Sequence, residues 1–450
     1  METLKFVMTA AFYPPYHLGG DANHVRYLAE ALVAQGHEVH VEYSPAALAL
    51  KRGRPDTHDG GDGGVIRHPI PALTGRFQPL GAWIFGAPAS VRRHHHELVE
   101  SVRPDVIHYH NLSLLGLDLI DVPSSALKMY TAHDYWVRCP RNDLFKFNRR
   151  LCDKPTCLTC LTISGKPPQL WRYRPDGLKP FDALDVAIAP SDFLRGMIAP
   201  YLRAPVVHIP NFAPDPNPSG QASSPGDYYL YVGRLEFYKG IPELANAASQ
   251  YRGPHRFVVV GKGKQAAVLE AARERSAPLV LHGWLPAAER DATYARARAL
   301  LLPSIWYENA PLVAFEALAW GTPILASETG ALPEILHGDM CGRTIRPTAE
   351  GILAGIEQFE AEDLAHGQRR AARMAYETYH TPAKYLENYE RLIEATWERK
   401  LASRNIHPAE FPEMSVGSPG GRSSPMSSGE ALGAHSKMRP FAHRDESHDP

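Results

Sequence analysis

Two carboxylates eight positions apart, Glu308 and Glu316, and two cations in one glycine-bounded loop, Arg234 and Lys239, are the side chains here best suited to chemistry. The cations stand in Gly233-Arg-Leu-Glu-Phe-Tyr-Lys-Gly240, between an apolar run that reads as a strand and a helix expected from Pro242. A diphosphate needs fixed positive charge, and a strand-to-helix loop supplies it. The carboxylates bracket the start of an apolar helix expected over Pro311 to Trp320, with Asn309 or Ala310 at its cap and Gly321 past its end. Glu316 is the only charged group in that helix, and a buried carboxylate needs hydroxyl or amide donors. Unpaired N–H groups at a helix start favour phosphate, so both acids can face a ligand lying over it. The plainer alternative is a Glu316 turned to water and a Glu308 on a surface loop.

The elements that position these groups read as a repeating strand, loop and helix. Leu300 to Leu302 form a strand broken by Pro303 and Ser304, and Pro323 to Ala326 restore one. This is a βαβ unit, whose loop at the carboxyl end of the first strand is where such sheets bind ligands. The same rhythm runs through Tyr228 to Val232, through Phe257 to Val260 entering Gly261-Lys-Gly263, and through Leu279 to His282. It also opens the chain: Leu4 to Thr9, a loop containing Gly19 and Gly20, a helix from Asn23 to Gln35, and Glu38 to Tyr43. Glu42 follows Gly20 at about the spacing of a dinucleotide fold's ribose acid. The glycines are adjacent, however, not spaced as in that fingerprint, which disfavours a dehydrogenase and suggests close approach of a ligand to the backbone. Two further strands end at His108 and His110, and at His133 and Asp134, where parallel sheets place their chemistry. His94, His95 and His96 point to different sides of a helix and read as a solvated face, not a metal site.

At 450 residues the chain exceeds one core. The reading is a first α/β domain over 1–212, a Pro, Ser and Gly linker over 213–226, a second α/β domain over 227–380 and a terminal helix over 381–402. Composition predicts a disordered tail from 403 to 450. A net charge of −1 gives no reason to expect nucleic acid. With no export signal or spanning segment, a cytoplasmic location is expected, with cysteines in a reducing compartment. Four of the five cysteines, Cys139, Cys152, Cys157 and Cys160, fall in a basic insertion over 138–179. Their C-x4-C-x2-C spacing favours a closed structural zinc site, against unligated thiols or a redox role. The basic insertion is either a solvated loop or a platform for an anionic acceptor or membrane surface, with Trp171 and Tyr173 at the interface.

Taken together, Gly19-Gly20, H-x-H at His108 to His110, T-x-H-D at Thr131 to Asp134, G-R-L-x-x-x-K-G at Gly233 to Gly240 and E-x7-E at Glu308 to Glu316 resemble glycosyltransferase family 4. The resemblance covers about residues 3 to 398. It implies two Rossmann-like domains facing across a cleft, the GT-B fold, and retaining transfer from a nucleotide sugar to a saccharide or lipid-linked acceptor. Cell-surface polysaccharide or glycolipid synthesis is the implied setting. By resemblance, Arg234 and Lys239 bind the donor diphosphate, Glu308 the donor sugar and Glu316 the ribose. Backbone amides of Asn309, Ala310, Pro311 and Leu312 would line the phosphates and sugar, although Pro311 lacks an N–H. Gly19, Gly20 and Gly261 complete the donor side, while His110 and His133 face the acceptor, with His133 also beside the donor sugar. No cofactor is then required for transfer, and the terminal helix is expected to cross back to the first domain. The sequence after Glu308 departs from many members, so the sugar is not transferred by analogy. A nucleotide-sugar epimerase of the same fold and a zinc-stabilised, non-catalytic scaffold are the alternatives.

Overall fold

The structure is a computed structural model that describes residues 3–404 apart from 17, 52, 54, 56–62, 221–223, 225 and 363. The disorder expected of the tail falls, beyond Arg404, outside the described residues.

Seven parallel strands form the first sheet, in the order β3-β2-β1-β4-β5-β8-β9. In chain order they are β1 (Lys5–Ala10), β2 (Glu38–Tyr43), β3 (Ile66–Pro69), β4 (Val106–Tyr109) and β5 (Leu127–Thr131), then β8 (Val186–Ala189) and β9 (Val206–His208). A short antiparallel ribbon, β6 (Phe145–Lys146) and β7 (Arg150–Leu151), lies in the basic insertion. The second sheet has six parallel strands in the order β12-β11-β10-β13-β14-β15. Its members are β10 (Tyr228–Val232), β11 (Arg256–Val260), β12 (Leu279–His282), β13 (Leu300–Leu302), β14 (Ile324–Ser327) and β15 (Gly342–Ile345). The inner strands β4, β5 and β8 are buried along their whole length, as strands covered by helices on both faces must be.

In each sheet the strand order reverses beside the first strand, between β1 and β4 and again between β10 and β13. A crevice opens outside the carboxyl ends of the strands at such a point. Gly19 and Gly20 follow β1, His110 follows β4 and His133 follows β5; Arg234 follows β10, Gly261 follows β11 and Glu308 follows β13. The topology therefore gathers these positions at the two crevices.

The segment with linker composition is anchored where it begins. Tyr376 donates from its hydroxyl to Ala213 O at 2.9 Å, and Arg373 grips Asp215 with both Nη atoms at 2.8 and 2.7 Å. The terminal helix, Pro382–Arg404, starts on Thr381, whose Oγ1 accepts from Lys384 N at 3.2 Å. It then lies against the first sheet: the Tyr389 hydroxyl is 2.9 Å from His108 Nδ1, and Lys400 Nζ donates to Ala126 O and to Asp185 at 2.6 Å. The described residues accordingly hold together as one compact unit.

Candidate functional site

The loop after β13 carries the strongest electrostatic feature of the second half. Glu308 is buried, its Oε1 accepting from Lys239 Nζ and from Ser304 Oγ, each at 2.6 Å. Burial alone would push its carboxyl up, but the Lys239 ammonium and these hydrogen bonds hold it below the usual range. Lys239 is itself lowered by burial and by Arg234, against the pull of Glu308, and stands 5.2 Å from the Trp306 ring centre. Arg234 differs. It is exposed, and among the described residues it forms no ion pair. Lys51, which follows the helix Pro45–Leu50 of the first half, has its pKa lowered by burial and by the charge of Arg234. In sequence, Lys51 opens a Gly, Asp and Arg rich stretch that reads as a loop, with no motif to single it out.

The apolar helix spans Leu312–Ala319, with Pro311 at its cap in extended conformation, one residue later than the capping pattern suggested. Pro311 has no N–H to give, so the free N–H groups begin at Leu312. Gly20 faces this start: a Cβ there would sit 3.7 Å from Leu312 Cγ, while Gly19 takes a φ of 93°. Gly261 is packed so closely that a Cβ would lie 1.9 Å from Gly233 O, which makes it a backbone crossing between the β10 and β11 loops. Glu316 faces neither bulk water nor an empty core. Its Oε2 accepts from the Tyr294 hydroxyl at 2.9 Å, and Arg290 Nη2 stands 3.6 Å from Oε1.

The loop itself is stitched to the first half. Ser191 Oγ is 3.0 Å from Asn309 Oδ1, Asn309 Nδ2 donates to Ala132 O at 3.4 Å, and Asn211 Nδ2 donates to Ala310 O at 3.0 Å. The glycine pair, the helix start and the Glu308 loop thus share one cleft, with His133 beside the loop anchored on Ala132.

Behind His133 lies a group of rings. His110 Nδ1 is 3.0 Å from His133 Nε2, and the His108 and His110 ring centres are 4.0 Å apart. His24, from the helix Gly20–Ala34, stands edge-on to His133 at 5.0 Å and to Tyr385 of the terminal helix at 5.4 Å. His24, His108 and His110 are buried, whereas His133 keeps part of its surface. Burial lowers the pKa of all four, His108 to about 3 and His133 to about 4; Asp21 opposes the shift at His133. His110 therefore lies behind His133 and does not share its exposure. His24 was hidden in the sequence because it sits among Val25, Leu28 and Leu32 and reads as one more residue of a helix face.

The histidine run is less simple than a solvated face. His95 is buried, with Nδ1 2.8 Å from Glu42 Oε2, so Glu42 is a core acid paired with His95 and not a ribose ligand. In the basic insertion, much of the charge is used internally. Lys146 Nζ donates to Lys154 O at 2.9 Å, Lys166 Nζ donates to Arg141 O at 3.0 Å, and Arg172 stacks on Trp136 and Trp171. Trp171 is buried and gives its Nε1–H to Trp83 O at 3.0 Å, so it is not free for an interface; Tyr173 is exposed. Cys139 and Cys152 pack against the core, Cys160 Sγ accepts from Phe147 N at 3.4 Å, and burial pushes the Cys139 and Cys152 thiols up. Among the described residues no three His, Cys, Asp or Glu side chains are arranged to hold a metal ion, so the expected zinc site at Cys139, Cys152, Cys157 and Cys160 has no geometric support.

Two Rossmann-like sheets with their crevices on a shared cleft define the class: a GT-B glycosyltransferase. Comparison with known proteins agrees. Sequence models described as Glycosyltransferase Family 4 and as Glycosyl transferases group 1 match residues 18–214 and 218–381. The glycogen synthase of Mycobacterium tuberculosis is 26% identical over 406 residues, spanning 82% of this chain and 88% of that one. Sucrose-phosphate synthase from Thermosynechococcus elongatus superposes with a TM-score of 0.60 at 20% identity, covering 87% of this chain and 100% of the other. Anabaena Alr3699/HepE, solved with UDP and glucose, gives 0.60 at 13% identity over 87% and 100%. The chain belongs to glycosyltransferase family 4.

Proposed function

We propose that this enzyme transfers a sugar, with retention of anomeric configuration, from a nucleotide-diphosphate sugar to a saccharide or lipid-linked acceptor in polysaccharide or glycolipid synthesis. The observation that carries the reading is the exposed Arg234, without an ion pair among the described residues, in one loop with Lys239, whose buried partner Glu308 lies in the loop that leads into Leu312–Ala319. Negative charge developing on a departing diphosphate would meet preorganised cations and N–H groups there. HepE, a neighbour in fold, was solved with UDP and glucose, which supports a sugar nucleotide as donor.

In this reading Arg234 and Lys239 hold the diphosphate, Glu308 orients the donor sugar and Glu316 receives the ribose hydroxyls alongside Tyr294. The acceptor oxygen bonds to the sugar carbon as the carbon–phosphate oxygen bond breaks, and the departing phosphate oxygen takes the acceptor proton. In this reading Glu316, held by Tyr294 and Arg290, serves the ribose and not the sugar carbon, so a two-carboxylate displacement is not proposed. The exposed Leu158, Ile163 and Tyr173 of the insertion, with Arg149, Arg150, Lys154 and Arg174, suit peripheral contact with an anionic membrane. No helix among the described residues is long and apolar enough to cross one.

The test is thermal unfolding with UDP, GDP, ADP and their glucose conjugates, run beside Arg234→Ala. A midpoint raised by one nucleotide and not raised in the variant supports the donor site. No shift with any of them removes the nucleotide-sugar reading.

A further inference from the structure

The four clustered histidines contain a constraint on where protons sit. The ring of His110 is buried, and its Nε2 has no hydrogen-bond partner among the described residues, while its Nδ1 lies 3.0 Å from His133 Nε2. A buried ring of this kind is neutral and carries one proton. If that proton were on Nε2, an N–H donor would be orphaned in the interior, the rarer and costlier defect; on Nδ1 it forms the bond to His133. His133 Nε2 must then be the acceptor, and the single proton of neutral His133 is left on Nδ1.

We propose that His110 is a positioning residue that fixes His133 as its Nδ1–H tautomer, so that His133 offers the cleft a hydrogen-bond donor and no basic nitrogen. The proposal rests on the placement of His133 in the transfer cleft. Two surroundings support it. The His110 ring is held against His108, which is tied on both sides, by the Tyr389 hydroxyl at 2.9 Å from Nδ1 and Thr131 Oγ1 at 2.8 Å from Nε2. His133 alone among the four rings retains exposed surface, and its Nε2 side is the side already engaged.

The chemical consequence is specific. A donor N–H can bind a sugar hydroxyl oxygen or an oxygen gaining negative charge, but cannot remove the acceptor's proton. That proton must go elsewhere, which agrees with its transfer to the departing phosphate.

The experiment is long-range ¹H–¹⁵N correlation of ring nitrogens in the ¹⁵N-histidine-labelled full chain at neutral pH, with the His133 signals assigned by their loss in His133→Gln. The result expected is a protonated Nδ1 and a bare Nε2 on His133. In His110→Leu, which cannot donate, the His133 signals should shift to the Nε2–H form or a mixture. In His110→Asn, whose amide N–H takes the place of Nδ1–H, the Nδ1–H form should persist. A wild-type His133 protonated on Nε2, or a tautomer unmoved in folded His110→Leu, would overturn the proposal. Should His110→Leu fail to fold, the wild-type and His110→Asn spectra still decide. No substrate is present, so this outcome is independent of whether nucleotides bind.

Discussion

Lys239 and Arg234 share a loop, and both are cations, yet their environments predict opposite behaviour on replacement. Lys239 neutralises a buried carboxylate, so Lys239→Met should leave Glu308 charged and unpaired, costing about 3–5 kcal/mol of stability and abolishing transfer. Adding Glu308→Gln should recover part of the stability and none of the activity. Arg234 is exposed and unpaired among the described residues, so Arg234→Ala should change stability by no more than about 0.5 kcal/mol while nucleotide binding is lost. Urea unfolding beside calorimetric titration with the nucleotide would separate the two effects. A large stability loss in Arg234→Ala would mean that the side chain is structural.

At the level of elements, the loop from β10 is shaped by Gly240, which takes a φ of 74° and packs so that a Cβ would lie 1.9 Å from Pro303 O. Gly240→Ala should therefore push the Lys239 loop off the Glu308 loop, with a cost of about 3 kcal/mol read from denaturant unfolding. An unchanged midpoint would show that the two loops are not seated as described. On the terminal helix, Tyr389→Phe removes the hydroxyl from His108 Nδ1, at an expected cost of about 1–2 kcal/mol.

These elements differ in how far they could be read from sequence. The donor helix was legible because its signals are local: Pro311 before it, Gly321 after it, apolar residues between. The strands that carry the motif loops were legible for the same reason, whereas the edge strands Ile66–Pro69 and Gly342–Ile345, short and only partly apolar, were not. What was not legible depends on partners far apart in the chain. Lys239 and Glu308 are separated by 69 positions, and Tyr389 and His108 by 281, so no window of sequence shows either pair. In the basic insertion, counting charges does not reveal which of them are used internally: Lys146, Lys166 and Arg172 cap carbonyls, and Arg172 stacks on indoles. Cysteine spacing likewise matched a metal knuckle without stating where the thiols point.

For the molecule as a whole, the buried histidines set the response to acid. His24 and His110 are held well below their usual pKa by burial, His108 and His380 fall to about 3 and His133 to about 4. Each takes a proton near 6.5 once unfolded but stays neutral when folded, so stability is present above about pH 6.5 and is lost as pH falls toward 4 and 3. Asp134 acts in the opposite sense. Burial raises its carboxyl to about 6, so its contribution is present below the unfolded value and is lost as pH rises through 6. Near pH 5.5 these five histidines, with His37, His68, His255 and His337 lowered in the same direction, outweigh Asp134 and the raised carboxyls of Asp121, Glu243, Asp291 and Glu390, and unfolding should take up a net number of protons. Calorimetry in buffers of different ionisation enthalpy would read that number. Uptake of less than about one proton would contradict the burial of the ring cluster.

The terminal helix also bears on how such enzymes can be recombined. A chimaera joined within 213–226 would take its final helix, Pro382–Arg404, from the parent of the second half, although Tyr385, Tyr389 and Lys400 complete the packing of the first through His24, His108, Ala126 and Asp185. Exchange of acceptor specificity between relatives should therefore succeed more often with two crossovers than with one, the twenty-three residues of Pro382–Arg404 travelling with the first sheet.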